Sequence, residues 1–177
     1  MKENLYITAL LWMVGRITRE EYVSFLEELY MRPENKSNDL LLRLEEANGT
    51  IKDTNHVFSQ SIQYGPEKWE EEAIIKKIVE TLIRHYEKTN SILDTLELGY
   101  DLRREATLSC KATIREPLIL ICQAFDYLQE DYFYPEGGCR YFMKLLHFYS
   151  SEASSAEINK AIEIVRKERR DRQKRKN

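Results

Sequence analysis

The sequence predicts an all-α fold, and three observations carry that prediction. Leu, Glu, Lys, Arg and Ile dominate the composition, and these residues favour helix. Only six Gly and four Pro occur in 177 residues, too few turn formers for a chain of many short strands. Apolar residues recur at helical spacing almost from end to end. With 42% hydrophobic residues the chain can bury a real core, and its length fits one domain or one domain with an extension. The expected architecture is a multi-helix bundle of about eight or nine helices over residues 1–165, followed by a basic helical tail over 166–177.

The first helix is expected over about residues 4–14, ending at Gly15. Its run "LYITALLWMVG" is too short to span a bilayer, has Glu3 before it and no small-residue cleavage site, so it reads as a core helix. "TREE" then forms a capping box, with Thr18 as N-cap and Glu21 at the third helical position. Tyr22, Phe25, Leu26, Leu29 and Tyr30 form the buried stripe of the second helix, which Pro33 ends. The third helix, capped near Ser37 or Asn38 and closed by Gly49, turns Leu40, Leu41 and Leu44 inward. The fourth runs from about Thr50 to Tyr64, presents Ile51, Val57, Phe58 and Ile62, and stops at Gly65-Pro66.

Ile75, Ile78, Leu82, Tyr86, Leu93 and Leu96 keep helical spacing as far as Gly99, which predicts one long fifth helix with a kink near Asn90. A sixth is expected over about 100–112. "PLILICQAFDYLQ", opened by Pro117, is apolar on most sides and reads as a central helix. A loop over 131–137 and a helix over about 138–150 follow. The final helix starts at a second capping box, Ser154 with Glu157, and its stripe of Ile158, Ala161, Ile162 and Val165 stops at Arg166. Nothing beyond that point is expected to be buried.

Charge is divided unevenly. The last twelve residues, "RKERRDRQKRKN", carry eight Lys or Arg against two acids, a net of +6, which leaves the preceding 165 residues at a net of −9. An acidic body disfavours nucleic acid as the main partner and favours a basic one; the tail over 166–177 is the only segment suited to nucleic acid. Cys110, Cys122 and Cys139 make an odd count with no CxxC, which points to reduced, mostly buried thiols in a cytoplasmic protein. No membrane association is expected, and oligomeric state is left open.

Nucleotide, zinc-protease, EF-hand and nucleophile-elbow motifs are all missing from the sequence, and no His follows a Glu by three positions, as paired di-iron ligands require. No metal or cofactor is expected. One catalytic pattern remains. Arg140 and His147 lie seven positions apart, two helical turns, and would share one face at about 10–11 Å along the axis. Arg-x(4–6)-His on a helical scaffold resembles the ribonuclease motif of the HEPN families. That resemblance implies a dimer acting on an RNA 2′-hydroxyl and phosphate, although Tyr141 stands where a polar residue is typical. The alternative is an edge-of-core His147 and an Arg140 in a surface ion pair. Cys139, after Gly137-Gly138, would sit at a helix N-terminus where thiol pKa values fall, but His147 is two turns away and out of reach for proton transfer.

Acidic clusters are the other feature. Asp39, Glu45 and Glu46 crowd the third helix. Glu70, Glu71 and Glu72 open the fifth, where they also suit the helix dipole. Asp126, Glu130 and Asp131 precede an aromatic loop that holds Tyr132 and Tyr134. Together these eleven residues are the candidate partner-binding surface.

Residues 15–58, "GRITREEYVSFLEELYMRPENKSNDLLLRLEEANGTIKDTNHVF", resemble bacterial immunity proteins of contact-dependent and other polymorphic toxin systems. The resemblance lies in the Gly15–Tyr22 helix start, the Asn38–Glu45 helix and the turn from Gly49 to Asp53. It implies a protein without catalytic activity that blocks the active site of a cognate toxin, often a basic nuclease. The expected function is therefore stoichiometric neutralisation of a basic protein toxin. The other expectations are a HEPN-like ribonuclease, or its inactive partner, and a helical adaptor whose tail meets nucleic acid.

Overall fold

A computed structural model describes residues 2–47, 49–65, 69–130, 135–148 and 152–175. Among them the chain is helical throughout, with ten α-helices, one 310 turn and no strand. They cluster into two units: residues 1–74 with 105–107, and residues 75–104 with 108–177.

The first unit opens with α1, Lys2–Met13, which buries Leu5, Tyr6, Ile7, Ala9, Leu10 and Trp12 and so behaves as the predicted core helix. Helix α2, Arg19–Tyr30, carries both halves of the Thr18/Glu21 capping box, which satisfies two of its orphan backbone donors. A 310 turn over Pro33–Asn35 follows, and the buried Asn35 amide donates to the Leu29 carbonyl at 2.9 Å, sealing the end of α2. Helix α3, Asp39–Glu46, is capped by Asn38, whose side chain accepts from Leu41 N–H at 3.1 Å. Helix α4, Ile51–Tyr64, is capped by Thr50 and ends at Gly65; Pro66 lies outside the described residues. Ile51, expected on the inner face of α4, is 48% exposed, because it sits in the first turn before the helix reaches the core.

Aromatic rings hold this unit together. Trp12 and Tyr22 stack at 4.6 Å between centroids, and Tyr6, Phe58 and Trp69 pack mutually at 4.9 to 6.3 Å. Such pairs add about 0.5–1.5 kcal/mol each beyond the area they bury. The Tyr6 hydroxyl accepts from Thr107 N–H at 2.6 Å, which ties residues 105–107 into this unit.

The second unit contains most of α5, Glu71–Thr89, then α6, Ile92–Glu105; α7, Cys110–Thr113; α8, Glu116–Glu130; α9, Glu136–Leu146; and α10, Ser155–Lys174. The long helix predicted to reach Gly99 is in fact two helices. Asn90 takes φ +50°, a left-handed conformation that Asn tolerates, and α6 begins two residues later. Gly99 does not end a helix. A Cβ there would stand 2.9 Å from Leu82 Cδ1 and 3.1 Å from Ile121 Cγ2, so the glycine allows α6 to approach its neighbours closely. The predicted helix over 100–112 is accordingly replaced by the end of α6 and the short α7, which is why the count exceeds nine.

Helices α8 and α9 pack most intimately at Gly138, where a Cβ would fall 2.5 Å from Leu128 Cγ. Around this contact Ile92, Leu96, Ala124, Leu128, Cys139, Phe142, Ala161 and Val165 form one buried cluster, and Tyr86 meets Phe142 edge-on at 5.2 Å. The capping box of α10, Ser154 with Glu157, forms as predicted.

The expectation that nothing beyond Arg166 is buried is overturned. Helix α10 continues to Lys174, and Arg169 is only 7% exposed, with its guanidinium donating to the Leu128 carbonyl. Glu168 accepts from the N–H groups of both Ile92 and Leu93 at 3.0 Å and so caps α6. Arg172 pairs with Glu97. These long side chains bury their apolar stems and find partners at their tips, a use of charge that hydrophobic spacing does not register.

Candidate functional site

The expected eleven-residue acidic surface falls on separate elements. Asp39, Glu45 and Glu46 are exposed on α3. Glu70 is exposed just before α5, while Glu71 and Glu72, in its first turn, are engaged by other groups of the chain. Asp126 is exposed on α8 in the second unit. The backbone of Glu130 closes α8; Asp131, Tyr132 and Tyr134 lie outside the described residues.

Arg140 and His147 each engage a different acidic residue. Arg140 is exposed and pairs with Glu136 one turn back at 2.8 Å. Helix α9 ends at Leu146, short of the expected 150, with His147 as its C-cap. The His147 Nε2 faces Glu157 Oε1 at 3.1 Å, joining the C-terminus of α9 to the first turn of α10. Cys139 is fully buried in the core cluster, and burial pushes its thiol up to about 12, the reverse of the activation that a helix N-terminus would give. Among the described residues no three His, Cys, Asp or Glu side chains come together as a metal site would need.

A groove of about 420 Å³ lies between α2 and α3 in the first unit. Leu41 and Leu44, both buried, and the half-buried Val23 and Leu26 form its apolar floor. Tyr30 and Met31 stand at one end, with Met31 75% exposed. Glu27 and Glu45 face it from opposite helices, while Arg19 donates its Nε to the Gly49 carbonyl at 3.1 Å at the other end. Gly49 adopts φ +61°, and a Cβ there would press on Arg19 and Val23 within 3.1–3.3 Å, so a glycine shapes this end of the groove.

The sequence pattern marks Glu45 with Asp39 and Glu46 but not Glu27, Val23 or Met31, and it places Leu26 and Tyr30 in the core. A signal was present. Helix α2 carries Tyr22, Val23, Phe25, Leu26, Leu29 and Tyr30, an apolar arc wider than one packed face needs. Among the described residues, Glu27, Asp39, Glu45 and Glu46 form no ion pair, in contrast to Glu28, Glu80 and Glu136, each of which pairs with a nearby cation.

Comparison of the chain with known protein families, characterised proteins and solved structures finds no match. Among the described residues no helix is long and apolar enough to cross a membrane.

Proposed function

We propose that this protein neutralises a basic protein toxin, in the manner of the immunity proteins that residues 15–58 resemble, by binding it one to one. The observation that carries the proposal is the α2–α3 face, where uncompensated carboxylates flank an apolar groove. Carboxylates that the fold does not use for pairing are available to a cationic partner, and their field would speed its approach. The groove lies wholly within the segment of resemblance, between Arg19 and Gly49. A nuclease fits this reading best, because its cleft is built to attract phosphates and would accept a row of carboxylates in their place. Action in the cytoplasm, where the nucleic acid to be protected lies, is part of the same proposal.

The test is an inhibition titration. The proposal expects a toxin gene directly upstream of this one; the toxin domain it encodes is assayed for nucleic-acid cleavage while this protein is added. Cleavage that falls linearly to zero at one equivalent supports the proposal. Cleavage unaffected by a large excess overturns it.

A further inference from the structure

We propose that the α2–α3 groove takes an amphipathic helical segment of its partner, apolar along one stripe and lined with Lys or Arg along its flanks. The partner's identity as a toxin rests on the reading above; the chemistry of the groove stands on its own observations. The groove floor is aliphatic and its two long sides are helices, the geometry into which a helix lays its apolar face. Glu27 and Glu45 stand on opposite sides of that floor, so a bound helix would meet a carboxylate on each flank. A segment apolar on its stripe and cationic at its edges satisfies both features at once. Two like charges there would repel a nucleic acid backbone or an acidic peptide.

The end residues fit the same occupant. Met31 is 75% exposed at the C-terminus of α2, and Tyr30 is beside it. Methionine adapts its shape to an arriving apolar surface, and tyrosine offers an apolar face with a polar tip. Arg19 bears positive charge, but its Nε already donates to Gly49, which holds that cation at one end of the groove. The central stretch is thereby left to the carboxylates.

The experiment uses two synthetic 18-residue helical peptides with the same leucine stripe, one flanked by lysines and the other by glutamates. Methyl and amide NMR shifts of the full chain are followed during titration. The lysine peptide is expected to bind one to one and to shift Val23, Leu26, Leu41 and Leu44, while the glutamate peptide leaves them unmoved. The double substitution Glu27→Lys and Glu45→Lys, both at exposed positions, should weaken the lysine peptide at least tenfold with the helical spectrum unchanged. Equal binding of both peptides, shifts elsewhere only, or undiminished binding by the double variant would overturn the proposal. Sedimentation showing that a second copy of the chain closes the groove would overturn the occupant. Toxin inhibition that survives the double variant undiminished removes the groove but leaves the immunity reading intact. Peptide binding without any toxin inhibition removes the immunity reading and leaves the groove.

Discussion

Replacing Glu168 by alanine is predicted to loosen a helix 75 residues away in sequence. Its two carboxylate oxygens accept from Ile92 and Leu93 N–H, each at 3.0 Å, in the first turn of α6. Loss of a side-chain cap costs about 1–2 kcal/mol, and loss of an anion at a helix N-terminus about 0.3–1 kcal/mol more. Ile92 is fully buried, so its freed N–H has poor access to water, which places the sum toward the upper end at about 2–3 kcal/mol. For a chain of this length that corresponds to a melting temperature lower by roughly 5–10 °C. Glu168→Gln keeps one acceptor and should recover about half of the loss. Lys167→Ala, at an exposed neighbouring position, should change stability by less than about 0.5 kcal/mol. Thermal and urea unfolding followed by circular dichroism measure these differences, and hydrogen exchange at Ile92 and Leu93 localises them. A Glu168→Ala variant within 0.5 kcal/mol of the parent, or unchanged protection of those two amides, would refute the cap.

Three further outcomes follow from the geometry. Gly138→Ala should destabilise by about 1–3 kcal/mol despite the better helix propensity of alanine, because its Cβ would overlap Leu128 at 2.5 Å; urea midpoints check this, and a stabilised variant would contradict the packing. In the native protein a thiol reagent should label the exposed Cys110 quickly and Cys139 only at the rate of unfolding, since burial raises the Cys139 pKa to about 12; site-resolved mass spectrometry distinguishes the two. Glu157 is held below the ordinary carboxylate value, first by the Ser154 hydroxyl, then by the Ser154 backbone N–H, with His147 adding to the effect. A lowered folded value means that the α10 cap is fully present above pH 4.5 and is lost as pH falls through the lower folded value, so Ser154→Ala should shift the Glu157 NMR titration upward.

What was legible in the sequence was local. The capping boxes at Thr18/Glu21 and Ser154/Glu157 each join residues three apart, so pattern and structure coincide. The caps at Asn38 and Thr50 are equally short-range. The long fifth helix was misread because Asn90 and Gly99 offer similar stop signals, and only tertiary packing assigns the left-handed turn to Asn90 and the close approach to Gly99. Likewise, Arg169 is buried through a carbonyl 41 residues earlier, so its charge made it look solvated. At the candidate site the acidic residues of α3 were visible as a cluster. The groove itself was not, because helical spacing says which residues share a face but not whether another element covers it. Leu26 and Tyr30 therefore looked like core and instead line an open surface.

If the acidic surface binds a basic toxin one to one, as proposed, that binding must weaken as salt screens it. Calorimetric titration of this protein into the toxin domain that the proposal expects to be encoded upstream of its gene, at 0.1 M and 1 M salt, tests it most directly. One-to-one binding is expected that weakens markedly at the higher salt, where the screening length shortens from about 10 Å to about 3 Å. No binding at low salt, or binding indifferent to salt, would contradict it.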